Sequence, residues 1–294
     1  MRTPSRHKQI INLVLLNTTW TFRVQWAIEN KLVKLPDNVD MRLADHGSIN
    51  DMFISGAADI GSVSIPAFLK AWSRNRDWKI AYPYGKVHEG VFSHKDSGIR
   101  SLRDLKGKTI AVRGLDFTAT MMLLDILKKK CDISHDEITL VPKLPSSIPA
   151  LVDKREVDAG LLSQASLADI KKMNLKPISD LNEECAQLYG APMIVMVLAV
   201  KKDIDGNALK RIAASLNAAN KIALERLDDV VKSYYEKHGK NESVHFKLMK
   251  DLKFRPIESW DENKKKILRR EFEMAGEQGL VEKIPRLKNI IMST

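Results

Sequence analysis

The sequence predicts an α/β protein of two similar lobes that face each other across a cleft. Three observations predict it: strand and helix patterns alternate, the chain partly repeats itself at an offset of 99 positions, and it is long for one core. In the offset comparison Ile11, Leu16, Thr19 and Thr21 meet Ile110, Leu115, Thr118 and Thr120. Further along, without a gap, Ser48-Ile49, Asp59, Gly61 and Ser64 meet Ser147-Ile148, Asp158, Gly160 and Ser163. These matches fall where a strand hands over to a helix or ends in a turn. At 294 residues the chain also reaches the length at which single cores stop growing, about 250–300 residues.

Each element has a local reason. Ile10–Leu16 is an apolar run read as a first buried strand, and Asn17, Thr18 and Thr19 are N-cap types for a helix from about Thr21 to Lys34. Val39–Ala44 is a second strand. Ser48 is read as the cap of a helix carrying Ile49, Met52 and Phe53, and Ala58–Val63 is a third strand. Pro66 suits the first turn of the next helix, and Trp78–Tyr82 is a fourth strand. This βαβαβ rhythm implies a parallel sheet covered by helices. Gly90–Ser93 reads as a strand crossing between lobes. The second unit then offers a capped turn at Ser101–Leu105, strands at Lys108–Arg113, Glu137–Val141 and Glu156–Leu162, and helices at Asp116–Lys130, Ile148–Lys154 and Ala165–Lys172. Val195–Val200 returns as the second crossing strand, and the chain from Asn207 is helical. The expected division is therefore 1–92 with 196–294 as a discontinuous first lobe and 93–195 as the second.

Composition excludes several classes. Hydrophobic residues make up 44% and charged residues 29%, an ordinary globular balance. The longest apolar run, Ala191–Val200, is too short to span a bilayer. The formal charge is +11, but the basic residues are dispersed and no basic stretch alternates with aromatics, so nucleic acid is not an expected partner. Cys131 and Cys185 form no CxxC pattern, and His88, Glu89 and His94 do not have HExxH spacing, so no metal and no cofactor are expected. Gly107-Lys108-Thr109 lacks the first glycine of a P-loop and precedes a strand instead of following one. Met1–Ile10 is polar and basic with no apolar segment after it, so no export signal is read there; the expectation is a processed form or a cytoplasmic protein.

Several stretches carry a resemblance. Ser101-Leu-Arg-Asp-Leu-Lys-Gly-Lys-Thr-Ile-Ala-Val112 resembles the segment that opens the second lobe of type II periplasmic solute-binding proteins. Leu151–Gly160 and Ser55–Gly61 resemble that family's paired strands, and Gly279-Leu280-Val281 with Pro285-Arg286-Leu287 resembles its ending. The resemblance covers nearly the whole chain and is nearest the branch that binds sulfonates, taurine, nitrate or the pyrimidine precursor of thiamine. It implies a cleft between lobes on two hinge strands, a monomer, a periplasmic or cell-surface setting, and an ABC transporter permease as membrane partner.

In an open α/β sheet ligands sit beyond the carboxyl ends of strands, where helix N-termini favour negative charge. Those places hold Asn17, Thr18, Thr19 and Trp20; Ser62 and Ser64; Tyr82 and Tyr84; Arg113, Gly114, Asp116, Phe117 and Thr118; and Ser163 and Gln164. Hydroxyls, amides and rings in this arrangement suit a small organic oxyanion. The alternative roles are helix capping for the threonines, core packing for Trp20 and Phe117, and a surface ion pair for Arg113. No nucleophile–base pair is legible, so no catalytic residue is expected. Two function classes follow: a solute receptor for an ABC importer, or a small-molecule enzyme on the same fold, similar to menaquinone-pathway dehydratases or thiamine pyrimidine synthases. A DNA-binding regulator is not expected, because no helix-turn-helix fits ahead of Ile10.

Overall fold

A computed structural model describes residues 10–85, 89–163, 170, 173–239 and 257–292. The strands in chain order are β1 (Ile11–Leu16), β2 (Val39–Ala44), β3 (Ile60–Ser64), β4 (Trp78–Pro83), β5 (Glu89–His94), β6 (Thr109–Val112), β7 (Thr139–Pro142), β8 (Ala159–Ser163), β9 (Leu175–Asp180) and β10 (Met196–Lys201). They form two five-stranded sheets, ordered β2-β1-β3-β10-β4 and β7-β6-β8-β5-β9. The two orders are the same: β1 corresponds to β6, β2 to β7, β3 to β8, β10 to β5 and β4 to β9. The molecule is therefore the two-lobed α/β architecture expected.

The repeated residues explain why both halves fold alike. A Cβ on Gly61 would lie 2.6 Å from the ring of Phe53, and one on Gly160 would lie 2.6 Å from Cγ2 of Ile148. In each half the missing side chain lets a helix settle onto the central strand. Asp59 and Asp158 also play one role: each carboxylate accepts a backbone N–H from the neighbouring strand, that of Asn12 and of Thr109, both at 2.8 Å. The 99-residue offset holds for β3 against β8, but not for β1 against β6. Leu13 and Ile110 pair with Ile60 and Ala159, which makes them the structural equivalents, 97 apart. The loop leading out of β6, residues 113–117, is correspondingly longer than the loop out of β1, residues 17–18.

Several expectations shift. Within the first sheet β1, β2 and β3 are parallel, but β10 runs antiparallel to both β3 and β4, so the sheet is mixed. β5 lies wholly in the second sheet, antiparallel to β8 and β9. The change of sheet thus falls between Pro83 and Glu89, and the return falls between Asp180 and Met196; the strands Gly90–Ser93 and Val195–Val200 follow the crossings, and a boundary at residue 92 falls inside β5. Helix α1 (Thr19–Glu29) stops short of Lys34, because Lys31 takes a left-handed φ of 59°. Helix α2 (His46–Ser55) is capped by Asp45, whose carboxylate accepts the Ser48 N–H, and not by Ser48 itself. Helix α3 (Ile65–Asn75) carries Pro66 in its first turn as expected. Helices α4 (Thr118–Ile126) and α5 (Ile148–Asp153) also fall where expected. The expected helix Ala165–Lys172 lies outside the described residues apart from Ile170.

The C-terminal helices hold the halves together. Helix α6 (Leu181–Tyr189) follows β9, and α7 (Gly206–Glu225), α8 (Leu227–His238), α9 (Glu262–Glu277) and α10 (Leu287–Ile290) follow β10. Helix α7 packs on α1, whereas α9 touches α3, α4 and α6 and so bridges the two sheets. Arg270 on α9 donates to Asp125 on α4 at 2.8 Å, and the Tyr189 hydroxyl donates to the same carboxylate. One continuous apolar cluster accordingly runs from Leu13 through Met121 to Phe272. A smaller cluster, including Phe92, Ile148, Val152 and Leu162, fills the other face of the second sheet.

Candidate functional site

The segment from Arg113 to Thr120 meets the first sheet at a small cavity of about 30 Å³. Ser64, at the end of β3, and Met196, at the start of β10, face it from the first sheet. Glu89 and Leu161 face it from the second, and Arg113, Phe117, Thr118 and Thr120 close it. This volume is room for a water or two. A larger ligand would need this space to widen, as it would if the halves parted.

Its wall combines hydrogen-bond donors with one buried ion pair. The residue before α4 is Phe117, which has no side-chain acceptor, so no side chain caps this helix. Its first N–H groups and the positive end of its dipole therefore face the cavity. Thr118 and Thr120 are 2% and 0% exposed, yet among the described residues neither hydroxyl has a hydrogen-bond partner. A buried hydroxyl left unsatisfied costs about 1–3 kcal/mol, which is strong selection for something to bind it. Beside them the Arg113 guanidinium approaches the Glu89 carboxylate at 3.3 Å and the Phe117 ring at 5.3 Å. Glu89 is 3% exposed. Burial raises its carboxyl above the usual range, with Arg113 opposing the rise.

The expected site residues divide into three sets. Ser64, Arg113, Phe117 and Thr118 line the cavity. Gly114 serves it indirectly, since a Cβ there would come within 2.9 Å of the Phe117 ring. Asp116 is not among its lining residues; half exposed, it pairs with Lys70 of α3 at 3.2 Å, a contact across the two halves. The second set is occupied by the fold. The Thr18 hydroxyl accepts the Thr21 N–H and caps α1. The Ser62 hydroxyl accepts the Leu16 N–H at 2.8 Å and holds β3 to β1. Asn17 is exposed, and its N–H donates to the Ala44 carbonyl. Tyr82 and Tyr84, expected at the cleft, are 8% and 1% exposed and belong to the apolar core. The Tyr84 hydroxyl bonds to Thr21 and burial drives its pKa upward. Ser64 also caps α3, through a long 3.4 Å contact from the Ala67 N–H. Ser163 is buried and paired in register with Glu89, so the two share a face of the sheet. The third set is not placed: Gln164 and the side chains of Thr19 and Trp20 lie outside the described residues.

Sequence reasoning missed Glu89, Thr120 and Met196 as wall residues. Thr120 carried a signal, since it repeats Thr21 at the 99-residue offset. Glu89 carried none beyond its place at a sheet crossing. Among the described residues no group of three or more His, Cys, Asp or Glu side chains is positioned to hold a metal, and no helix is long and apolar enough to cross a membrane.

A family model described as menaquinone biosynthesis matches residues 16–255, most of the chain and all of this cleft. The chain belongs to the menaquinone biosynthesis family. No curated protein matches this family member. Among solved structures, the periplasmic aliphatic sulphonate binding protein SsuA of Escherichia coli superposes with a TM-score of 0.78 at 13% identity, covering 97% of this chain and 92% of that one. Protein AF1704 of Archaeoglobus fulgidus gives 0.68 at 18% identity, covering 94% and 100%. The alkanesulfonate-binding protein SsuA of Xanthomonas axonopodis pv. citri, bound to MOPS, gives 0.68 at 16% identity, covering 96% and 95%. At such identities the likeness establishes that this menaquinone biosynthesis family member has the type II periplasmic-binding-protein fold.

Proposed function

We propose that this chain binds a small organic anion in the cleft between its two sheets. The observation that carries the reading is the pair of buried, unpartnered hydroxyls of Thr118 and Thr120, set at an uncapped helix N-terminus beside Arg113. The oxyanion would accept from the hydroxyls and the α4 N–H groups, and its organic part would lie against Phe117, Leu161 and Met196. In the first form of the reading the protein is the solute receptor of an ABC importer. Its ligand is then a sulfonate or a relative such as taurine, nitrate or a thiamine pyrimidine precursor, its partner a membrane permease, its setting periplasmic, and its working form a monomer. The likeness to sulfonate-binding proteins supports this form. Its lobes follow the two sheets, which keeps the expected division but moves the first boundary to 84–88.

A second form is favoured by the family match over residues 16–255: the bound anion is a biosynthetic intermediate that the closed cleft converts. Binding is tested by a thermal-shift screen of sulfonates, carboxylates and pyrimidines, and the choice between the forms by mass spectrometry of a stabilising compound after incubation. Stabilisation with unaltered recovery supports the receptor; a new product supports the enzyme. No stabiliser in any class would remove the proposal.

A further inference from the structure

Resting on the cleft reading above, we infer that Glu89 is the site's built-in counter-anion: an incoming oxyanion takes its place on Arg113, and the displaced carboxyl takes up a proton. Ligand and proton then bind together.

The argument is one of charge in a closed space. As the structure stands, Arg113 and Glu89 face each other at 3.3 Å in a cavity otherwise walled by neutral groups: Ser64, Phe117, Thr118, Thr120, Leu161 and Met196 among them. Among the described lining residues Arg113 and Glu89 are the only charges. If a monoanion entered and Glu89 stayed ionised, two negative charges would share one guanidinium in a largely buried cavity, an arrangement that burial penalises. Taking up one proton restores balance. Before binding, Arg113⁺ and Glu89⁻ cancel; afterwards Arg113⁺ cancels the ligand and Glu89 is neutral, able to donate its O–H to the ligand or to the cleft wall.

No other carboxylate on the elements around β5 is free to play this part. On β9 and α6, Asp180 accepts the N–H groups of Asn182 and Glu183. Glu184 pairs with Lys130 and accepts the Ser179 hydroxyl, and Glu183 is exposed. On α5, Asp153 accepts the Asn174 N–H. The Cys185 thiol of α6 is pushed up by burial and stays protonated. On β8 the residue opposite Glu89 is Ser163, which is neutral. Asp116 is half exposed and paired with Lys70.

The sign of the linkage follows. The complex holds Glu89 protonated to higher pH than the free protein does, so affinity for the anion falls as pH rises. The slope approaches about tenfold per pH unit between the two pKa values and vanishes outside them. Titration calorimetry with benzenesulfonate, whose own charge is constant across this range, in buffers of differing ionisation enthalpy from mildly acidic to alkaline pH, reads the proton directly. The expected result is uptake of about one proton within the window. Glu89→Gln should bind without uptake and without pH dependence, whereas Glu183→Gln, at an exposed position of α6 away from the cavity, should keep both. If Glu89→Gln fails to fold, carbon NMR of glutamate-labelled wild-type protein, with and without benzenesulfonate, follows the same carboxyl. Binding without uptake at any pH, or uptake that survives in Glu89→Gln, overturns this inference and leaves the cleft reading standing. If the wild type binds neither benzenesulfonate nor benzoate, the cleft reading falls and this inference with it.

Discussion

Hydroxyls at the cleft and in the sheet are chemically alike and carry opposite duties. Ser62 satisfies the buried Leu16 N–H, so Ser62→Ala should cost about 1–3 kcal/mol of stability by orphaning that donor, with little effect on binding. Thr118 satisfies nothing within the fold. Thr118→Val should leave stability unchanged or slightly improved, and weaken anion binding about tenfold, the equivalent of about 1.5 kcal/mol for a lost hydrogen bond to a charged ligand. Urea denaturation and titration calorimetry on both variants check the contrast; equal effects would dissolve the distinction. Thr118 was legible because a hydroxyl at a strand-to-helix junction recurs 99 residues after Thr19. Glu89 was not, because a lone carboxyl acquires meaning only when Arg113, 24 residues on, is folded against it. The tyrosines misled for a related reason. A proline between them suggested a surface turn, but Pro83 ends β4 and both rings turn into the core.

At the scale of elements the repeat is the most informative signal. The glycine of each central strand exists so that a helix can lie on it, and Gly160→Ala would place a methyl 2.6 Å from Ile148 and 2.8 Å from Val152. An overpacking cost of about 1–3 kcal/mol is expected in chemical denaturation. Strands β1, β2 and β3 could be read from apolar runs bounded by turn residues. Strand β9, with Lys176, Pro177 and Ser179 in six residues, has no such run, and it forms because the edge of the second sheet offers a partner in β5. Helix α9 was legible as helix but not as a strap. Its Glu271 is fully buried; one oxygen accepts the Ile194 N–H of the returning crossover at 2.7 Å, and the other has no partner. Burial raises this carboxyl well above its ordinary value, so the folded protein holds it protonated to higher pH than the unfolded chain does. The native state then binds more protons than the unfolded chain once pH exceeds the unfolded glutamate value of about 4.3. Stability from this group is lost as pH rises from there until the folded pKa is reached, by up to about 1.4 kcal/mol per unit. Glu271→Gln should show a shallower decline in a denaturation series against pH; identical slopes would contradict the assignment.

At the scale of the whole molecule, two sheets of one topology meet at a cleft too small for an organic ligand as it stands, about 30 Å³. If an organic anion binds there, the halves would have to part along the two crossovers to admit it, and contacts made only in the closed state would favour reclosure. The Lys70–Asp116 pair spans the same gap. Being half exposed, it contributes little to closure. The central claim is that the anion sits between Ser64 at the end of β3 and Thr118 at the start of α4. The most direct measurement is a crystal of the protein with 4-bromobenzenesulfonate, in which anomalous scattering locates the bromine and the density shows the sulfonate. The account predicts the sulfonate oxygens on the Thr118 and Thr120 hydroxyls and the Arg113 guanidinium, with the ring against Phe117. A sulfonate bound elsewhere, with the Thr118 and Thr120 hydroxyls still unpartnered, would contradict it.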